Sequence, residues 1–237
     1  MADGKSKLKK LSEITEGIAG AVGIAIAFVT PFLRPRRARW GATEAEVCRS
    51  LPGDDLVPHH KWGYTHAVTI RASAAEIWPW LVQIGQGRGG FYSYEWLENL
   101  IGCNMHNADH IIQEFQHLKV GDEIRHHPKL HSYEVAVIEP GQALVIHTRA
   151  DTQNGNTFEL TDNIPEKYTN TSYIWFLDGL DDGTTRLISR GRYDYRGLRN
   201  ALSLGHFLLE PIAFATSRKM LLGIKQRAEA ASKRGNE

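Results

Sequence analysis

The chain has 237 residues, 42% of them hydrophobic and 23% charged, which favours one full domain plus an extension and excludes a disordered or collagen-like chain. With 28 Lys+Arg against 27 Asp+Glu, the formal charge is +1. No global basic field is available to hold nucleic acid, and no acidic field to hold a polycation.

From Gly17 to Leu33 no residue is charged: GIAGAVGIAIAFVTPFL. Lys5, Lys7, Lys9 and Lys10 precede the run, and Arg34, Arg36, Arg37 and Arg39 follow it. A membrane-spanning helix needs roughly 20 apolar residues, so residues 17–33 sit at the short end of that range. Arginines beyond the run can snorkel and lengthen it, and RPRRAR directly after it argues against a cleaved signal peptide. The expectation is a membrane anchor within residues 1–40, single-pass or peripheral. The alternative is an apolar helix packed on the domain or lying in the membrane interface. The denser arginine cluster on the C-terminal side puts the main domain on the cytoplasmic face of an anchored protein; without an anchor the protein is expected to be cytoplasmic.

Residues 34–65 read as an irregular lead-in, with a short helix over Thr43–Cys48 capped by Thr43 and Glu46. His66–Ala72 alternates and is β-branched, which predicts a strand. Ser73 and Glu76 form a capping box that opens an amphipathic helix through Leu81 and Val82. A glycine cluster follows, then a second short helix at Ser93–Ile101 and a third helical piece at 107–116. Beyond Val120 the pattern predicts a strand meander: Asp122–His126, Ser132–Ile138 and Ala143–Thr148. A polar loop or flap over 150–170 separates these from the hairpin Ser172–Leu180 and Thr184–Tyr193, turned by Asp181-Asp-Gly183. A helical stretch from about Leu198 to Ala231, interrupted at Pro211, closes the chain. Phe214, Ser217, Leu221, Ile224 and Ala228 share one of its faces.

This order predicts an α+β fold: a curved antiparallel sheet wrapped around the long terminal helix, with an N-terminal apolar helix added in front. Such packing leaves a cavity between sheet and helix. The arrangement resembles the START/Bet v1-like helix-grip superfamily, also described as SRPBCC or polyketide cyclase/dehydrase-like proteins. The segments that carry the resemblance are Arg39-Trp-Gly-Ala-Thr43, Leu51-Pro-Gly-Asp-Asp55, Glu76-Ile-Trp-Pro-Trp-Leu81, Gly85–Tyr94 and Lys219-Met-Leu-Leu-Gly-Ile224. The resemblance implies one ligand-cavity domain over residues 41–237. The superfamily it points to contains lipid carriers, hormone receptors, cyclases and chaperone regulators.

Gly85-Gln-Gly87-Arg-Gly-Gly90 satisfies G-x-G-x-x-G, but a dinucleotide fingerprint needs a strand before it and a βαβ unit around it. A capping box and a meander stand there instead, so a tight turn is expected, rimming the cavity mouth with Arg88 available to an acidic ligand group. Aromatic residues gather beside it, and Phe91, Tyr92 and Tyr94 join Arg88 as cavity candidates. Trp175 from the strands and Phe214 from the terminal helix complete the set. His106, His110 and Glu114 have a spacing that zinc can use, yet solvated or hydrogen-bonded histidines are the preferred reading and no metal is expected. Cys48 and Cys103 have no His signature and are too few for a disulfide framework, which indicates a reducing compartment. No cofactor and no nucleic-acid partner is expected, and no catalytic residue can be assigned. The leading functional expectation is binding or carriage of a hydrophobic small molecule or lipid at a membrane through residues 17–33. The alternatives are a cyclase- or hydratase-like enzyme on a polyketide-type substrate, and an interaction module with a filled core.

Overall fold

The computed structural model describes residues 2–129, 131–160, 164–197 and 201–235, with side chains for Thr15, 17–129, 131–160, 164–197 and 210–233. The strands are β1 (Trp62–Ile70), β2 (Glu123–Ile124), β3 (Tyr133–Glu139), β4 (Ala143–Asp151), β5 (Tyr168–Gly179) and β6 (Thr185–Arg196). They form one antiparallel sheet in the order β1-β6-β5-β4-β3-β2, so the first strand lies beside the last. A register shift between Val135 and Val137 marks a bulge on β3, the kind of irregularity that bends a sheet. The helices are α1 (Ala2–Val29), α2 (Arg34–Arg37), α3 (Glu44–Cys48), α4 (Ala74–Val82), α5 (Glu95–Leu100) and α6 (Ala201–Gly235). This is the expected α+β architecture: a curved antiparallel sheet gripping a long C-terminal helix.

Local signals set most of these boundaries. Both expected capping boxes are present: Thr43 with Glu46 opens α3, and Ser73 with Glu76 opens α4. Each satisfies two amide groups that a helix start otherwise leaves unpaired. The expected helical piece at 107–116 does not form, apart from a 3-10 turn at Gln113–Phe115. Its backbone bonds to other side chains instead. The Asn107 amide donates to Glu95, the Ile112 amide donates to Gln83 Oε1, and the His110 carbonyl accepts from Gln83 Nε2. His106, His110 and Glu114 therefore do not share a helix face. Residues 198–200, where the terminal helix was expected to begin, lie outside the described residues. α6 runs through Pro211 without a break, held by Glu210 on one side of the proline and by Ser217 on the other.

Both faces of the sheet are covered. Ile70, Leu144, Ile146, Trp175, Leu177 and Leu187 point to one side and pack with α4 and with Met220, Leu221, Ile224 and Ala228 of α6. Burying a large apolar side chain contributes about 1.5–3 kcal/mol, so this layer is the main source of stability. On the opposite side Ala67, Val145, Ile174, Phe176 and Ile188 pack against Leu51 and Leu56 of the lead-in. Arginines of β6 tie that lead-in down. Arg190 donates to the carbonyls of Glu46, Val47 and Arg49 and to the Asp54 carboxylate, while Arg186 grips Glu46 and the Gly41 carbonyl. Gly53, at φ 83°, lies so close to Val145 that an added Cβ would fall 2.6 Å from a methyl carbon.

Among the described residues, no single helix is long and apolar enough to cross a membrane. One bent pair, Gly17–Val29 and Pro31–Arg37, meets length and composition together, but its two parts lie 95° apart. α1 packs on α6, and Gly17 and Gly20 rest on the rings of Trp96 and Tyr94. The chain after the bend is clamped by a buried ion pair. Arg37 donates twice to the Glu210 carboxylate, both at 2.8 Å, and once to the Thr30 carbonyl at 2.9 Å. Breaking one partner of such a pair strands a buried charge and costs about 3–5 kcal/mol, whereas replacing both with apolar groups is often neutral. Glu210→Leu is therefore expected to lower unfolding stability by several kcal/mol in urea titrations, with Arg37→Met/Glu210→Leu recovering most of the loss.

Candidate ligand-binding site

Strand side chains alternate between faces, and this puts Trp62, Tyr64 and His66 of β1 on the α6 side of the sheet. Tyr133 of β3, Tyr173 and Trp175 of β5 and Tyr193 of β6 share that side, as the strand registers require. Their rings form one connected row. Trp62 stacks on Tyr193 at 4.2 Å and Tyr64 on His66 at 4.3 Å; Tyr173 lies 5.7 Å from Tyr193 and 5.4 Å from Tyr133. At the far end His126, just after β2, lies 5.3 Å from Tyr173 and stacks on Phe91 at 4.3 Å. The hydroxyls run alongside. Tyr193 donates to Tyr173 at 3.1 Å, and Tyr64 bonds to the hydroxyls of Ser189, Ser217 and Tyr193.

Loss of water sets the protonation of this row. Burial lowers His66 and His126 to about 4 and pushes Tyr133 up to about 12. It also carries Tyr173 and Tyr193 well above the ordinary phenol value. Every one of these groups is therefore neutral at pH 7. Tyr133, Tyr173 and Tyr193 are nevertheless only half-buried by accessible surface. The His66 tautomer follows from its partners. Nε2 lies 2.9 Å from the Arg37 carbonyl, which only accepts, so Nε2 carries the proton and Nδ1 accepts from the Ser217 hydroxyl at 2.9 Å. Two polar atoms in the row find no partner among the described residues: His126 Nδ1 and Trp175 Nε1, both buried. An unmet buried polar group costs about 1–3 kcal/mol.

The residues expected to line a cavity divide into two groups. Phe91, Trp175 and Phe214 join the row: Phe91 on His126, Trp175 stacked at 6.3 Å from Tyr173, and Phe214 edge-on to His66 at 5.7 Å. The other three are occupied elsewhere. Arg88 donates to the carbonyls of Val82, Ile84 and Phe115 and lies over the Phe115 ring, so it stitches the glycine turn to its surroundings. The Tyr92 hydroxyl donates to the Trp80 carbonyl, and its ring is 1% exposed in the core. Tyr94 supports Gly20 of α1 and carries Lys219 above its ring. The glycine turn itself follows α4 rather than a strand and closes on itself through a Gly85–Gly90 bridge. That is turn geometry, without the strand a dinucleotide fingerprint needs.

Sequence reasoning missed Tyr64, His66, His126, Tyr133, Tyr173 and Tyr193. The signal for three of them was local: Trp62, Tyr64 and His66 repeat at the strand period, and Tyr173 stands two residues before Trp175. Nothing local placed His126 or Tyr133 opposite them.

No family model matches the chain, and no curated protein sequence matches it. Solved structures do. A Polyketide_cyc-like protein from Corynebacterium glutamicum is similar at 16% identity and a TM-score of 0.39, covering 73% of this chain and 94% of that one. A truncated norcoclaurine synthase from Thalictrum flavum is similar at 14% identity and a TM-score of 0.37, covering 70% of this chain and 91% of that one. The Zhui aromatase/cyclase from a Streptomyces species is similar at 15% identity and a TM-score of 0.31, covering 71% and 93%.

Because His66 is held below its unfolded value near 6.5, the unfolded chain binds the extra proton between pH 6.5 and 4. Its stabilising contribution is complete above pH 6.5 and is lost as pH falls towards 4, by roughly 3 kcal/mol. His66→Gln is expected to flatten that part of the stability–pH curve in urea titrations, while wild type retains the steeper fall.

Proposed function

We propose that the protein binds an uncharged, largely apolar small molecule between the concave face of the sheet and α6. The observation that supports this most directly is the state of Tyr133, Tyr173 and Tyr193. All three are strongly desolvated, yet each keeps accessible surface. Three half-buried rings joined on one face opposite α6 are what the wall of a binding space offers. The chemistry of the lining sets the kind of ligand. Aromatic faces supply apolar contact worth roughly 25 cal/mol per Å² buried, and neutral hydroxyls, an imidazole and an indole N–H fix orientation. The unpartnered His126 Nδ1 and Trp175 Nε1 favour a ligand that carries hydrogen-bonding oxygen on its apolar frame.

The second reading is a cyclase- or hydratase-like enzyme on a polyketide-type substrate, and the convergence of histidines and tyrosines favours it. An acid or base works best with a pKa near the working pH. Burial has moved the histidines to about 4 and Tyr133 to about 12, and has carried Tyr173 and Tyr193 well above the ordinary phenol value, so the lining serves neutral hydrogen bonding better than proton transfer. The proposal includes attachment to a membrane surface, with its support in the apolar stripe that α1 turns away from the domain.

The test uses two neutral bicyclic probes, naphthalene and 2-naphthol, in competition with N-phenyl-1-naphthylamine fluorescence. Wild type is expected to bind both and to prefer the naphthol. Trp175→Phe and Tyr173→Phe are expected to weaken naphthol binding by about fivefold, the equivalent of one hydrogen bond, with naphthalene unchanged. Absence of probe binding by the folded protein would overturn the reading.

A further inference from the structure

Among the described residues, the outer face of α1 is left exposed. Gly17, Gly20, Ile24 and Ala27 follow one another at helical spacing and turn inward; Gly20 and Ala27 are buried. An added Cβ at Gly20 would sit 2.8 Å from the Tyr94 ring, so this face touches the domain through backbone. Ile18, Val22, Ile26 and Val29 follow the opposite stripe at steps of four, four and three, and they are 52–76% exposed. Phe32, directly after the bend, is 75% exposed and extends the stripe.

Charge within the stretch that carries the stripe is of one sign, with Glu16 just before it and Glu44, paired with Arg39, just after it. From Gly17 to Thr43 the chain contains Arg34, Arg36, Arg37 and Arg39 and no acidic residue. Glu210, which approaches from α6, is already paired with Arg37 and Arg34. Arg36, four residues after Phe32, is exposed, while Arg218 and Lys219 of α6 add further positive charge on the side of Trp40 and Tyr94. A second copy of this surface would bring arginines against arginines. A spanning helix would have to give up the contacts of Gly17 and Gly20 and straighten a 95° bend.

We propose that α1 docks in the plane of an anionic lipid bilayer, with Ile18, Val22, Ile26, Val29 and Phe32 entering the interface and Arg36 meeting lipid phosphates. This rests on the membrane-attachment reading above and adds orientation and lipid charge to it. An apolar helical stripe with flanking cations is the pattern of an interfacial helix, and each basic residue near an anionic surface adds about fivefold in affinity.

The test is flotation of the full-length protein with phosphatidylcholine vesicles containing about 30 mol% phosphatidylglycerol, against phosphatidylcholine alone. The wild type is expected to float with the anionic vesicles, far less with the neutral ones, and to be released by high salt or alkaline carbonate. Val22→Glu/Ile26→Glu is expected to reduce binding by more than tenfold with an unchanged thermal midpoint, since both side chains face outward. Arg36→Gln is expected to reduce it about fivefold. Failure of the wild type to float with either vesicle overturns both attachment and this proposal. Carbonate-resistant flotation keeps attachment and overturns in-plane docking. A dimer in light scattering that Val22→Glu/Ile26→Glu dissociates also overturns it, by assigning the stripe to a second copy.

Discussion

Most of both faces of a six-stranded sheet is buried, and this constraint governs the polar groups attached to its centre. On the α6 side the groups that remain are all neutral: tyrosines, serines and two histidines stripped of their usual basicity. Charge is displaced to the other face and to the ends, and the largest buried charges there are matched. Arg186 meets Glu46, Arg190 and Arg192 share Asp54, and Arg37 meets Glu210. Isolated charges at such depths cost far more than the marginal stability of a domain allows. A neutral interior with a charged exterior shell is the arrangement that remains.

Two N-terminal additions give the sheet-and-helix unit its particular shape. The lead-in over residues 38–57 covers the convex face and also pairs its backbone with β1, where the Thr65 and Ala67 amides donate to Ala38 and Trp40. That contact shields an edge strand that would otherwise be open to pairing. The clamp at Arg37 then links α1 to the site, because the same residue offers its side chain to Glu210 and its carbonyl to His66. His66 in turn fixes Ser217 of α6. One short segment thus holds the apolar helix, the terminal helix and the first strand in a single register.

The elements were legible where short-range chemistry decides them. Capping boxes at Thr43 and Ser73, the Asp181-Asp-Gly183 hairpin and β-branched alternation each act within a few residues. The segment 107–116 misled because its helical spacing competes with side chains of Gln83 and Glu95, which lie elsewhere in the fold. The site was harder for the same reason. Arg88 was expected at the rim of the cavity, and the three carbonyls it serves come together only after α4 and the 113–115 turn have packed. Tyr133, Tyr173 and Tyr193 each sit in ordinary strand patterns. Their convergence depends on which face is concave and on pairings between distant strands, and neither is written in any local window.

The pairing of β1 with β6 has a kinetic side. Trp62 lies opposite Tyr193, and Arg190 grips Asp54 across 136 residues of chain. The β1 edge of the sheet therefore cannot form until residues 185–196 have been synthesised and the β5–β6 hairpin is in place. Contacts of such sequence separation bear their loop-closure entropy before they return any stabilisation. Emerging from a ribosome, α1 and the lead-in would wait, with the apolar stretch of α1 uncovered, until β6 has been made.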